Sequence, residues 1–351
     1  MTGTGPAPAI AGWHGRAARR RGAVLAAALL LVLLALADLA TGPSRMSPPE
    51  VWRALLAGPG GTDRVAATIL WQIRMPQLAM AMIVGASLGL AGLLMQTILA
   101  NPLASPFTLG FSAAAGFGAA LSILGASVVA LPLPQWVLTP LAAFAGTLIA
   151  TAIIWLVART KGTNPEILVL AGIAVLFFFQ SLQALVQFMA SPEVLQQIVF
   201  WLFGSLLRAN LTAVQVSGVI LLACLPFIAR DLWALTTLRL GEANAASLGL
   251  DVARLRRRAF LICAALTAAA VSFTGTIGFV GLIAPHVARA AVGEDHRLSL
   301  PLSALAGAII LVSASVAGKL LSQGAAIPVG IITAIAGIPM LLVVIIRHKG
   351  G

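Results

Sequence analysis

Tyrosine is absent from this 351-residue chain and acids are scarce: ten Asp and Glu stand against 22 Lys and Arg. Charged residues reach only 9% of the total, where soluble domains carry about a quarter, which excludes a water-exposed globular surface. The two cysteines, Cys224 and Cys263, lie in or beside apolar runs and offer neither a disulfide framework nor paired metal-ligand spacing. No resident metal and no other cofactor is expected. A Gly-x-x-x-x-Gly-Lys-Ser/Thr loop is also missing, so the chain lacks the phosphate cradle needed to use ATP by itself. Without tyrosine, any aromatic belt falls to Trp and Phe, and Trp71, Trp136, Trp155, Trp201 and Trp233 do stand near the ends of apolar runs.

Apolar length is what the chain has in abundance. Hydrophobic residues make up 60% and mean hydropathy is +1.02, values of a chain solvated mostly by lipid. A barrel would need short alternating segments, which do not occur. Apolar runs at about 23–40, 76–98, 107–131, 138–158, 166–189, 211–229, 259–277, 279–292, 298–318 and 328–346 predict an all-α polytopic domain. That gives ten transmembrane helices within 23–347, with tails at 1–22 and 348–351. Most basic residues, including Arg19, Arg20, Arg21, Arg159, Lys161, Arg230, Arg254, Arg256, Arg257, Arg258, Arg289 and Arg297, fall on the side of the N-terminus. Arg45, Arg53, Arg64, Arg74, Arg208 and Lys319 fall opposite. Positive residues favour the cytoplasm, so both termini are expected inside. The same bias explains the net charge of +12 without nucleic acid.

One stretch breaks the pattern. Between Arg258 and Arg289 the chain is almost wholly apolar, and one helix there would be about 45 Å long against a hydrocarbon core of roughly 30 Å. Two full spans do not fit. Gly275, Gly278, Gly281 and Pro285 would let one helix end, turn inside the protein and return as a short helix reaching Arg289. Broken helices of this kind occur in transporter interiors.

With that break in view, the chain resembles the FecCD or BtuC type of permease subunit, from ABC importers of iron chelates, haem and vitamin B12. The resemblance rests on "RMPQLAMAMIVGASLGLAGLLMQTILANPLASPFTLGFSAAAGFGAA", "WLFGSL", "LRLGEANAASLGLDVARLRRRA", "GTIGFVGLIAPHVARAAVGEDHR" and "IPVGIITAIAGIP", in that order. It implies the type II importer fold, a second permease copy or close homologue, a cytoplasmic ABC ATPase dimer and an external substrate-binding protein. It also implies a bacterial plasma membrane and a metal-chelate substrate, with ferric siderophore ahead of haem and cobalamin. An ion-coupled carrier is the competing class. It would need ionisable groups near the bilayer midplane, whereas Asp38 and Glu166 sit near span ends. An intramembrane hydrolase is the third reading, since Gly85-Ala86-Ser87-Leu88-Gly89 satisfies a serine-hydrolase pattern. An apolar span supplies no nucleophile turn, and Gly85, Gly89 and Gly92 read better as helix-packing residues.

Site expectations follow from both sources. In the loop 230–258, Glu242, Ala243, Ala246 and Gly249 form a small-residue helix and turn followed by Arg254, and the resemblance makes this the helix that meets the ATPase. By charge bias alone it would be an ordinary cytoplasmic loop. Gln96, Asn101, Pro102 and His286 are pore or gate candidates; Gln96 and Asn101 need partners if buried, and His286 suits a hydrogen-bonding role at the broken helix better than a metal. His296 falls in a charged cytoplasmic loop. For docking of the binding protein, the resemblance implies arginines in an Arg-x-Pro-Arg turn and a further arginine before the last span, which meet glutamates of the partner, together with an aspartate and an acid before Pro-Val-Gly on either side of that later arginine. Here the turn is Arg74-Met75-Pro76-Gln77, the later cation is Lys319, and Ser315 and Ala326 stand where acids are usual. Arg74 and Lys319 are the expected docking cations, with weakened or displaced docking.

Overall fold

The computed structural model describes residues 7–42, 44, 46–129, 133–322 and 327–347. Ala326, Arg45 and the 348–351 tail therefore lie outside the described residues. Fourteen α-helices and one π-helical stretch make up the described secondary structure, with no strand among the described residues. Eight helices, or runs of joined helices, are long and apolar enough to cross a membrane. Two shorter apolar helices complete the expected ten.

α1 (Ala7–Ala40) begins well before the expected span, because its Ala- and Arg-rich start is itself a good helix former. α2 (Pro48–Ala57) is a short helix, opened by a Glu50 carboxylate that accepts the Ser47 N–H at 2.7 Å and ended at Gly58. α3 (Arg64–Ala67) runs through a π-helical turn, Thr68–Arg74, into α4 (Met75–Ile98). Pro76 explains the wide turn: it has no N–H and its ring crowds the preceding turn, so the helix loosens just before it. α5 (Phe111–Val128) and α6 (Gln135–Lys161) follow, then α7 (Pro165–Met189) and the short α8 (Pro192–Leu202). α9 (Leu211–Leu238), α10 (Glu242–Ser247) and α11 (Val252–Thr274) lead to the break. Beyond it lie α12 (Val280–Val292), α13 (His296–Leu321) and α14 (Val329–Arg347).

α4 is the central helix, buried along nearly its whole length between α13, α12, α11 and α9. Its glycines set the spacing. A Cβ on Gly85 would lie 2.4 Å from the Gly307 carbonyl of α13, and one on Gly92 only 1.8 Å from the Gly281 carbonyl of α12. Helices in lipid gain little from the hydrophobic effect against each other, so such backbone approach is what holds them together.

The break is shorter than the sequence suggests. Only 275–279 leave the helix; Gly281 and Pro285 sit inside α12. Gly275 and Phe279 both take left-handed backbone angles, with φ of 76° and 66°. Pro285 removes the N–H that would have bonded the Gly281 carbonyl, and that carbonyl packs on Gly92 instead. His296 departs from its expected place. Asp295 caps α13 by accepting the Arg297 N–H at 2.9 Å, which puts His296 at the first helical position, turned inward and 1% exposed.

The break makes a topological prediction. Cysteines at exposed Arg297 and half-buried Ser322, in a chain whose two native cysteines are buried, should react with an impermeant thiol reagent from opposite faces of the membrane. Labelling of both positions from one face would overturn the ten-span arrangement.

Candidate translocation path and coupling site

At the membrane end where α10 lies, Ala243, Ala246 and Gly249 are exposed, and Ala245 alone of that helix is buried. Leu240 and Leu248 flank them, 64% and 57% exposed, which is unusual for leucines in a connecting loop. Arg254 is exposed and pairs with Asp251 at 3.3 Å. The residue that ties this surface to the bundle is Arg256, which is 4% exposed. Its guanidinium donates to the Ile98 carbonyl at the end of α4 (3.1 Å), to the Thr163 carbonyl between α6 and α7 (3.4 Å), and to the Glu242 carboxylate (2.9 Å). Sequence reading placed Arg256 among basic-loop residues, because burial of one arginine in a run of four cannot be read from charge.

The gate candidates form a different group. Gln96, 1% exposed, accepts a hydrogen bond from Arg289 and donates to the Leu282 carbonyl at 3.4 Å, so α4 and α12 are locked through one amide. Arg289 also lies 3.8 Å from Glu294, which pairs with Arg239 at 2.9 Å. His286 donates through Nδ1 to the same Leu282 carbonyl at 2.8 Å. His296 stands between Thr97 (2.8 Å) and Thr236 (3.3 Å). Asn101 makes a tight turn, its side chain accepting the Leu103 N–H at 2.9 Å, with exposed Pro102 beside it. Gln96, Arg289 and His286 thus gather round the short helix, while Asn101 and Pro102 shape the exit of α4.

At the opposite end, Lys319 donates to both the carboxylate (2.7 Å) and the carbonyl (3.1 Å) of Asp38, which is fully buried. Arg74, 3% exposed, donates to the Leu39 carbonyl and to Ser44, with Gly42 packed against its guanidinium. Both expected docking cations are therefore turned inward, fastening the end of α1 to α13 and to the π-helical turn. Asp38 was legible as a span-end acid, but not as the partner of Lys319.

The open space lies elsewhere. Two adjoining clefts of about 430 and 410 Å³ share Phe107, Ser112, Leu202 and Thr276. One continues along α14 past Gly330 and Ile335; the other runs along α7 past Gln180 and Gln183. The floor is the break itself, where Ser205 donates to the Thr274 carbonyl (2.7 Å) and Gly330 to the Gly204 carbonyl (3.2 Å). Three quoted motifs thus meet at one place. The glutamines were the missed signal: Gln180, Gln183 and Gln187 recur at helical spacing in an otherwise apolar span.

An all-helical bundle with a broken helix beside a half-open groove defines a multi-pass membrane permease. The FecCD transport family matches residues 29–347, and the chain belongs to that family. It is 36% identical to the iron(III) dicitrate transport system permease protein FecD of Escherichia coli, over 92% of this chain and 99% of that protein. It is 37% identical to the cobalamin import system permease protein BtuC of Halobacterium salinarum, over 80% and 74%. A solved chain assigned to a metal-chelate type ABC transporter in an inward-facing conformation superposes with a TM-score of 0.82 at 30% identity, covering 92% of this chain and 98% of that one. The protein is an ABC importer permease.

The buried pair at Asp38 makes a stability prediction. Lys319→Met strands a buried carboxylate and should cost about 3–5 kcal/mol, whereas Asp38→Asn with Lys319→Met should recover most of that loss. Melting temperatures of the purified single and double variants decide it; equal losses in all three would mean the pair is not coupled.

Proposed function

We propose that this chain forms one half of the translocation pathway of a binding-protein-dependent importer for a metal chelate, with ferric siderophore as the first substrate class and haem or cobalamin as the alternative. A second permease copy closes the groove between α7 and α14, and a cytoplasmic ATPase pair docks on α10. The carrying observation is the Arg256 junction, which joins the exposed α10 surface to the interior. A partner pressing on Ala243 and Ala246 moves Glu242, and through Arg256 the ends of α4 and of the α6–α7 loop. Both termini are cytoplasmic in this reading, in keeping with the basic residues at that end. An external binding protein meets the other end. Docking through Arg74 and Lys319 then requires partner acids to draw them from Asp38 and Ser44, and the cost of leaving those groups unpaired weakens the final complex.

ATP-driven uptake of a ferric siderophore into vesicles holding the chain, its ATPase and its binding protein tests the proposal. Uptake should survive collapse of the proton gradient; uptake that follows the gradient with ATP present would favour an ion-coupled carrier. Within that assay, Ala246→Trp should cut uptake at least about tenfold, the worth of roughly 1.4 kcal/mol at a docking surface, while ATP hydrolysis continues. Arg256→Leu should do the same, and Arg256→Lys should restore part of it. Gly249 is a poorer probe, because its φ of 82° strains any side chain whatever the partner does. Unchanged coupling in both Ala246→Trp and Arg256→Leu would remove the junction from the mechanism.

A further inference from the structure

A third cleft, also of about 430 Å³, lies at the membrane end opposite α10, on the far side of α8 from the groove. The chain at 201–203 separates the two spaces: Trp201 lines this cleft, while Leu202 and Phe203 line the groove. Whatever fills the third cleft is therefore not on the proposed pathway. Its lining carries one cation, Arg208, and no acid.

Arg208 is exposed at the cleft and takes part in none of the six ion pairs among the described residues; partial desolvation by the surrounding wall, with no charge beside it, lowers its proton affinity. Two more donors face the same space. Asn210 uses its carbonyl oxygen to cap α9, accepting the Ala213 N–H at 2.8 Å, which leaves its NH₂ to spare. Gln197 has no side-chain partner among the described residues. One guanidinium and two amides, with no carboxylate, form a donor set for an anion.

The surroundings say which anion. Gln135 opens α6 and Asn210 precedes α9, so the polar rim stands where spans emerge from hydrocarbon, at headgroup depth. Below the rim the walls are mostly apolar, with Ile123, Pro140 and Phe273 in the cleft beside the hydroxyls of Thr139 and Ser272. Trp136, Leu141 and Leu211 beside it are 60%, 54% and 64% exposed, a surface for acyl chains.

We propose that the cleft around Arg208 is a binding site for one anionic phospholipid, its phosphate held by Arg208, Gln197 and Asn210 and its chains lying along α6 and α9. Bound there, the lipid wedges the 203–210 segment against α8 and steadies the outer wall of the break.

Native mass spectrometry of the full-length chain, titrated with phosphatidylglycerol or with phosphatidylcholine of the same acyl chains, tests this. The wild type should retain one phosphatidylglycerol about tenfold more tightly than phosphatidylcholine, the scale of one charge-assisted hydrogen bond. Arg208→Gln should abolish that preference, Arg208→Lys should keep part of it, and Trp136→Ala should weaken both lipids alike. Arg64→Gln, which removes an exposed cation at the same end, should change nothing. Equal loss in Arg64→Gln and Arg208→Gln would reduce the effect to bulk charge and overturn the site, as would an unaltered preference in Arg208→Gln. Displacement of the lipid by millimolar inorganic phosphate would make it a soluble-anion site instead and overturn the lipid assignment. Should Arg208→Gln not fold, the Arg208→Lys and Trp136→Ala titrations decide by the same comparison.

Discussion

A helix that stops inside hydrocarbon leaves backbone N–H and C=O groups that no water can satisfy, and the arrangement of this protein follows from how that cost is met at 275–279. Three segments far apart in sequence converge there. Ser205 takes up the Thr274 carbonyl, Thr276 donates its hydroxyl to Leu202, and Gly330 donates to Gly204. Space is as limiting as hydrogen bonding: a Cβ on Gly275 would sit 2.1 Å from the Trp201 carbonyl, and one on Gly330 2.2 Å from that of Phe203. Both glycines are therefore required by neighbouring backbone, and Gly275 also by its φ of 76°. The groove exists because a helix ends at its floor.

Charge is rationed by the same solvent. With ten acids in the whole chain, each buried one fixes a joint between elements: Asp38 joins α1 to α13, and Asp231 joins α9 to α11 through Arg258 at 2.8 Å. Pairs of this kind bring little net stability, since desolvation offsets most of the attraction, but a broken pair is expensive. They fix the register of helices whose apolar faces would otherwise slide.

Much of this was legible in the sequence. Apolar length gave the helices, and the impossibility of fitting either one or two full spans between Arg258 and Arg289 gave the break. The run of small residues after Glu242 located the helix now seen at 242–247, and the resemblance supplied only its expected role. What escaped was the direction of single side chains. Arg74 and Lys319 read as outward cations by position, yet a carboxylate 281 residues from Lys319 in sequence turns it inward. His296 read as a loop residue because its neighbours are charged, and one aspartate cap was enough to bury it. Periodicity reports faces of helices; it does not report which long-range partner a polar group will find.

α11 connects the two halves of the functional reading. It begins at the Arg256 junction and ends at the break, and it is the one long span with neither glycine nor proline inside it. α6, α9, α13 and α14 each carry an internal proline, and α4, α5 and α7 carry glycines. Helices bend at such residues, so those spans can absorb a displacement locally. A 23-residue helix without them is a rod of about 34 Å, buried along most of its length. Movement imposed at one end of a stiff element with packed sides is delivered at the other rather than dissipated. In the proposed coupling, a shift of Glu242 that pulls on Arg256 would reach Thr274 and the bonded cluster at Ser205 and Gly330 along this rod. The part of the fold that looks most like plain core is the part best suited to carry force from α10 to the floor of the groove.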